Sequence, residues 1–322
     1  MKKNNSIIYL SIIALIAVLG FMAYDFFSAS ESNENPYEYN LDQWLHVDPN
    51  LISHEEILKI KVDIEILRAI GLDRNDAIYV SGKDKLLIYD AFGKLQKEVP
   101  TQIEAFSMAI SEEGNIYLSS RNSIQVYNLQ GELLDKWNTH IENAILTSVA
   151  VDEQNLYLAD AANKIVYRYN LQGEFLNEIG RKDPDIGIEG FIIPSPYFDL
   201  AIGREGELWV VNSGRHQLES YSPEGQLKYS WKKSSMGLEG FSGCCNPSHI
   251  ALLSNGSFVS SEKGIERIKI SNPSGAFESV VAPPTAFKKG TRGIDLVVDS
   301  KDRILAIDPE KKEIIIYQRK GD

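Results

Sequence analysis

The sequence is poor in cysteine, in positive charge and in recognisable catalytic signatures. Two cysteines among 322 residues exclude a disulfide framework. Lysine and arginine total 33 against 45 aspartates and glutamates, a net charge of −12. That deficit argues against nucleic acid, because binding there rests on Lys and Arg neutralising phosphates. There is no phosphate-cradling glycine loop, dinucleotide fingerprint or nucleophile-elbow serine. His54-Glu55-Glu56 starts like a zinc helix, but no second histidine follows at the required spacing. His46 and His140 have no partners by sequence and read as surface or loop residues. The chain is 43% hydrophobic and 24% charged, the composition of a globular protein with a real core. Its length allows either two ordinary domains or one large all-β domain.

After Lys2 and Lys3, no Lys or Arg occurs until Lys59. Within that gap lies IIYLSIIALIAVLGFMA, residues 7–23, without a charge. As a helix it would span roughly 26 Å, close to a hydrocarbon core. The positive-inside rule puts Met1 in the cytoplasm and everything after Tyr24 outside it, in a periplasm-like compartment. An uncleaved signal anchor and a cleavable signal peptide are both open readings. Ser28-Ala29-Ser30, preceded by Phe26 and Phe27, is a poor cleavage site and favours the anchor. The expected organisation is a cytoplasmic N-terminus (1–6), a transmembrane anchor (7–24), an acidic linker (25–56) and a folded domain (57–322). Residues 30–56 carry seven acids and no Lys or Arg, which predicts an extended spacer.

From residue 57 short alternating strands recur. The second strand of each unit reads AIYV (77–80), NIYL (115–118), NLYL (155–158), ELWV (207–210), SFVS (257–260) and RILA (303–306). The third strands end at Tyr89, Tyr127, Tyr169, Tyr221, Ile270 and Tyr317, spaced by 38, 42, 52, 49 and 47 residues. A glycine turn follows five of them: AFGKL, LQGEL, LQGEF, PEGQL and PSGAF. Four strands per unit at this period predict an all-β, six-bladed β-propeller. One such unit cannot bury both faces of its sheet, so the units must stack around an axis. The chain stops after the third strand of blade six. The spare alternating segment Ile57–Val62 is expected to pair there and close the ring, removing an exposed edge.

Gly187-Ile188-Glu189-Gly190-Phe191, then Pro196, then YFDLAIGREGELWVVNSGRHQLESYSPEGQL resembles an NHL repeat. Arg215-His216-Gln217-Leu218 stands at the Asn-His-Leu-like position of that family, and Asp160 to Ile165 resembles the same place in blade three. The resemblance covers about residues 57–322 and implies an NHL/TolB-like propeller, a fold that serves many functions. Blades one, two and six lack the Asn-His pair.

In a propeller, the loops leading into the inner strands and the ends of the second strands gather on one face around the axis. The second-strand ends supply Lys83, Arg121, Asp160, Asn212, Arg215, His216, Glu262, Lys263 and Asp308. The leading loops supply Asp199, Cys244, Cys245, His249 and Arg292. The two longest of these loops, 187–202 and 237–252, align without a gap at an offset of 50; Asp199 then matches His249. Three readings of Cys244-Cys245 stand side by side: two small buried residues, a strained vicinal disulfide, or a zinc or copper site with His249. Recurrence of Asp160, Asn212, Glu262 and Asp308 reads as turn hydrogen bonding, with a lactonase-like divalent-cation ring as the alternative. His216 reads as structural.

The preferred reading is a membrane-anchored, extracytoplasmic propeller that binds a protein partner or small ligand, and no nucleic acid, at a central mouth. Its expected site residues are Cys244, Cys245, His249, Asn212, Arg215 and Glu262. The alternative is a metal- or redox-dependent enzyme of lyase or lactonase type using Cys244, Cys245 and His249.

Overall fold

A computed structural model describes residues 6–28, 41–186 and 188–321. The chain divides into two units, Met1–Gln43 and Trp44–Asp322. The first contains the helix Ser6–Ser28, which covers the expected span. Its described side chains, Tyr9 to Tyr24, are exposed. Among the described residues no helix is long and apolar enough to cross a membrane, so the expected span is not shown.

The second unit is all-β and holds six sheets. Blade two has the pattern common to the set: Ser107–Ile110, Asn115–Ser119, Ser123–Asn128 and Leu133–Asn138, each antiparallel to the next. In blade one the second and third strands run as one element, Ile78–Tyr89. Its first part pairs with Leu67–Leu72 and its last part with Leu95–Glu104. Asp84, at φ 59°, lies between the two parts. The backbone approaches itself closely here: a Cβ on Gly82 would fall 1.8 Å from the Ile66 carbonyl oxygen.

The glycine turns formed as read. Gly93, Gly131, Gly173, Gly225 and Gly275 all have φ between 75° and 88°, a region that side chains with a Cβ avoid. Ring closure also formed as read, with more chain than expected. The closing strand is His54–Lys61, antiparallel to Glu313–Arg319. Ahead of it, Ile52 bridges to Val280 of blade five. The ordered unit thus takes in the last residues of the segment expected to be linker.

Core packing explains why six units hold together. The buried apolar residues fall into clusters, and each cluster is shared by two neighbouring blades. Leu305, Ile307, Ile314 and Ile316 of blade six pack with Ile70, Val80 and Leu87 of blade one. Trp209 and Trp231 of blade four pack with Ile250 and Phe258 of blade five. Tyr157 and Ile179 of blade three meet Phe198 and Leu208 of blade four. No blade carries a core of its own, as stacking of half-satisfied sheets requires.

Candidate functional site

A cavity of about 350 Å³ opens on the axis, and all six blades contribute to it. Its walls come from the first residues of the inner strands and the loops leading into them, with Arg121 and Pro309 added from beyond the ends of second strands. This is the mouth that topology predicts. The inner strands line a second cavity of about 280 Å³.

The inner strands are stitched together by short polar side chains. Ser107 Oγ accepts from Val149 N–H (3.0 Å), and Ser148 Oγ from Leu200 N–H (3.1 Å). Asp199 Oδ2 accepts from Ile250 N–H (2.8 Å), and Asp295 Oδ2 from Ile70 N–H (3.0 Å). His249 interrupts this series. Its Nδ1 lies 3.4 Å from Asp295 Oδ1 and 3.7 Å from Asp199 Oδ1, so both aspartates turn their second oxygen toward it. Nδ1 makes only these longer charge contacts and Nε2 has no hydrogen-bond partner among the described residues, although the residue is buried. Tyr197 stands edge-on to the imidazole at 5.9 Å between centroids.

Burial lifts the Asp295 carboxyl to about 6; the imidazole opposes that shift and the Asp199 charge adds to it. Burial works against the His249 imidazolium, but the two carboxylates outweigh it and raise its pKa. Both groups therefore hold a proton more tightly folded than unfolded. Their stabilisation is fully present below the unfolded values and is lost as pH rises through the folded ones, for Asp295 across roughly pH 4 to 6. Relative to Asp295→Asn, the wild-type chain is expected to gain about 1–2 kcal/mol between pH 8 and pH 5. Urea unfolding at both pH values checks this, and parallel pH curves for the two proteins would refute it.

Three arginines, Arg68, Arg121 and Arg292, are among the thirteen lining residues, and no carboxylate is. Arg68 Nε donates to Glu104 Oε1 (2.7 Å), and its guanidinium lies 5.1 Å over the Phe106 ring. Arg121 and Arg292 are exposed and form no ion pair among the described residues.

The other expected site residues divide. Asn212 is buried and structural: its Oδ1 accepts from Ile192 N–H (2.9 Å), and its Nδ2 donates to Glu219 Oε1 (2.8 Å). Arg215 pairs with Glu189 in a separate cleft rather than lining the mouth. Glu262 lies beneath the blade-five loop, buried against Arg267 and Lys269, each at 2.8 Å. Asp160 Oδ1 accepts from Ile145 N–H (3.0 Å) and from Ala162 N–H (3.0 Å), which fixes the turn after its strand. Asp308 does the same for Glu310 and Lys311. Asp160 and Asp308 thus act as the turn reading expects through their Oδ1 atoms, whereas Glu262 departs from it by pairing with Arg267 and Lys269. His216 adopts φ 54°, and its Nδ1 meets Ser234 Oγ at 2.7 Å, a structural role.

Cys244 and Cys245 are free thiols with sulfurs 3.3 Å apart, so the vicinal disulfide is not formed. They lie beside the mouth: Lys263 Nζ reaches Cys245 Sγ (2.7 Å) and sits 4.7 Å over the ring of Tyr197, a lining residue. Among the described residues no three His, Cys, Asp or Glu side chains gather to hold a metal. His249 faces aspartates instead of the cysteines, which removes the ligand set of the metal reading.

Sequence reasoning missed Asp295, Tyr197, Phe106 and Arg68. Asp295 was findable: it immediately precedes an inner strand, as Asp199 does at its own, and His249 opens the inner strand between them.

The fold and its mouth define a class, the six-bladed β-propellers with a ligand-sized opening on the axis. Within that class the chain is similar to a streptogramin B lyase structure, with a TM-score of 0.57 and 10% identity over 84% of this chain and 100% of that one. It is also similar to selenomethionine-substituted virginiamycin B lyase from Staphylococcus aureus (0.56, 10%, 82% and 99%). A catalytically inactive form of the latter with quinupristin gives 0.53 and 13% over 78% and 80%. At such identities the likeness carries the fold alone. No protein-family model matches the chain and no curated protein matches it, so the implied NHL membership is not shown.

Proposed function

We propose that this propeller binds a small anionic ligand at its axial mouth. The observation that carries the reading is the pair of exposed arginines there, Arg121 and Arg292, which have no ion-pair partner among the described residues, while Arg68 is already matched by Glu104, in a chain of net charge −12. Arginine is suited to carboxylate and phosphate groups, and Phe106 and Tyr197 offer apolar faces beside them. Calorimetric titration with small aromatic carboxylates and phosphates, against their neutral esters, tests it. The anions should bind preferentially. Arg121→Gln and Arg292→Gln should each weaken them about tenfold or more, the loss of one charge-assisted contact. Equal binding of esters and acids would sink the proposal.

A second reading is favoured by His249. A buried imidazole that lines a cavity, with its Nδ1 facing two carboxylates and its Nε2 without a partner among the described residues, is equipped to move a proton on a bound substrate. The solved lyases share the fold, which leaves this reading open to test by turnover assays on His249→Gln.

The same proposal includes a membrane anchor at residues 7–24, with the propeller outside the cytoplasm. Support comes from the uncharged run, and from Lys2 and Lys3 ahead of it. The full chain is expected in the membrane pellet after alkaline extraction; recovery in the supernatant would exclude the anchor.

A further inference from the structure

Cys244 and Cys245 lie in the long loop that leads into blade five, ahead of the strand His249–Leu252. Cys244 is exposed and Cys245 is buried. Lys263 Nζ donates to Cys245 Sγ at 2.7 Å and to Ser195 Oγ at 2.9 Å, so one ammonium joins the loops of blades four and five. The lysine is itself fixed against the cysteine loop. Its backbone N–H donates to Asn246 Oδ1 (3.0 Å), and its carbonyl accepts from Asn246 Nδ2 (2.9 Å). Among the described residues Lys263 forms no ion pair with a carboxylate. The acceptor that can carry negative charge beside it is the Cys245 sulfur.

The two thiols are unequal. Burial pushes the Cys245 thiol up, but the contacts from Lys263, Ser195 and Cys244 outweigh it and hold the group below the ordinary thiol value. Hydrogen bonding to Cys245 and the charge there push Cys244 above it. A thiolate beside a neutral thiol, 3.3 Å away, is a nucleophile next to a resolving group.

We propose that Cys244-Cys245 is a hydroperoxide-reactive dithiol, with Cys245 as the attacking thiolate, Cys244 as the resolving thiol and Lys263 as the positioning residue. The Cys245 sulfur attacks the terminal peroxide oxygen and the O–O bond breaks. The oxygen passes to sulfur and, with one proton from solvent, leaves a sulfenic acid and an alcohol, or water from hydrogen peroxide. The Cys244 sulfur then displaces hydroxide from that sulfenic acid, the S–S bond forms, and hydroxide leaves as water with the Cys244 proton. In sum the two thiols lose two electrons and the O–O bond takes them up. A bridge between adjacent residues is strained, because their Cα atoms lie about 3.8 Å apart. Strained bridges are readily reduced, so a thiol reductant returns the pair to its starting state.

The test uses the purified full chain, reduced and then exposed to hydrogen peroxide, blocked with N-ethylmaleimide and weighed intact. The wild-type protein should lose about two mass units and accept no maleimide. Cys244→Ser should stop at a sulfenic acid on residue 245 that dimedone traps. Lys263→Met should slow the reaction at pH 7 about tenfold and move the pH midpoint of Cys245 alkylation upward, while Lys263→Arg keeps both near wild type. The arginine variant reads the charge requirement even where methionine disturbs folding. Retention of both maleimide adducts after peroxide, first oxidation at Cys244, or a rate indifferent to the charge at 263 would each overturn the proposal.

Discussion

Replacing Glu262 by alanine is expected to cost about 3–5 kcal/mol of stability, because it leaves two cations buried without their counter-charge. The Glu262 side chain is 0% exposed, and those of Arg267 and Lys269 are 1% exposed. Burial alone would protonate the carboxyl; the two cations outweigh it and hold its pKa below the ordinary value. The cluster also anchors the loop above it. Arg267 Nη2 donates to the Gly237 carbonyl at 2.7 Å, and Lys269 Nζ to the Leu238 carbonyl at 3.1 Å. Glu262 Oε2 in turn accepts from the Ser242 N–H and hydroxyl, both at 3.1 Å. Alanine therefore strands two charges and frees the backbone that carries Cys244 and Cys245. Denaturant unfolding gives the energy, and amide exchange over residues 237–248 should quicken. Glu56→Ala removes the exposed pair with Lys59, formed at 2.8 Å, and serves as the contrast at about 0–1 kcal/mol. Similar losses for the two variants would show that the buried cluster is not what holds the loop.

The propeller was legible in the sequence because its signals are local. Alternation along AIYV or NLYL, and a glycine at each third-to-fourth strand turn, need only a few neighbouring residues to be read. The closing strand was legible for the same reason: ILKIKV alternates and had no partner in its own unit. The site was legible only as a region. Glu262 stands at the same repeat position as Asp160 and Asn212, and position alone assigned it to the mouth. Its cross-strand neighbour in the hairpin is Arg267, and that register buries the pair. Arg215 was misplaced because the short turn Ser213–Arg215 is followed by a left-handed His216, and the guanidinium pairs with Glu189. The His249–Asp295 pairing joins residues 46 apart on adjacent blades. It depends on the curvature of the ring, which no local pattern encodes.

Ring closure can be broken by a single proline, and the choice of position makes the experiment specific. Val62 N–H donates to the Lys312 carbonyl at 3.0 Å. Antiparallel alternation then points the Ile60 N–H inward, toward Ile314, and the Lys59 N–H outward to solvent. Ile60→Pro removes a ladder bond and orphans a carbonyl, about 1–3 kcal/mol before any packing is lost. Ile60 also packs against the cluster that joins blades six and one, so the loss extends to that interface. Lys59→Pro removes no ladder bond and only an exposed ion pair. The first variant should unfold at clearly lower denaturant and should self-associate, because an unpaired Glu313–Arg319 edge bearing Ile314, Ile315 and Ile316 invites strand addition. The second should keep the elution volume and the unfolding midpoint of the wild type. Size-exclusion chromatography and unfolding midpoints of the two separate the outcomes. If both prolines behave alike, the strand His54–Lys61 is a passenger on blade six, and the ring is held by blade-to-blade packing alone.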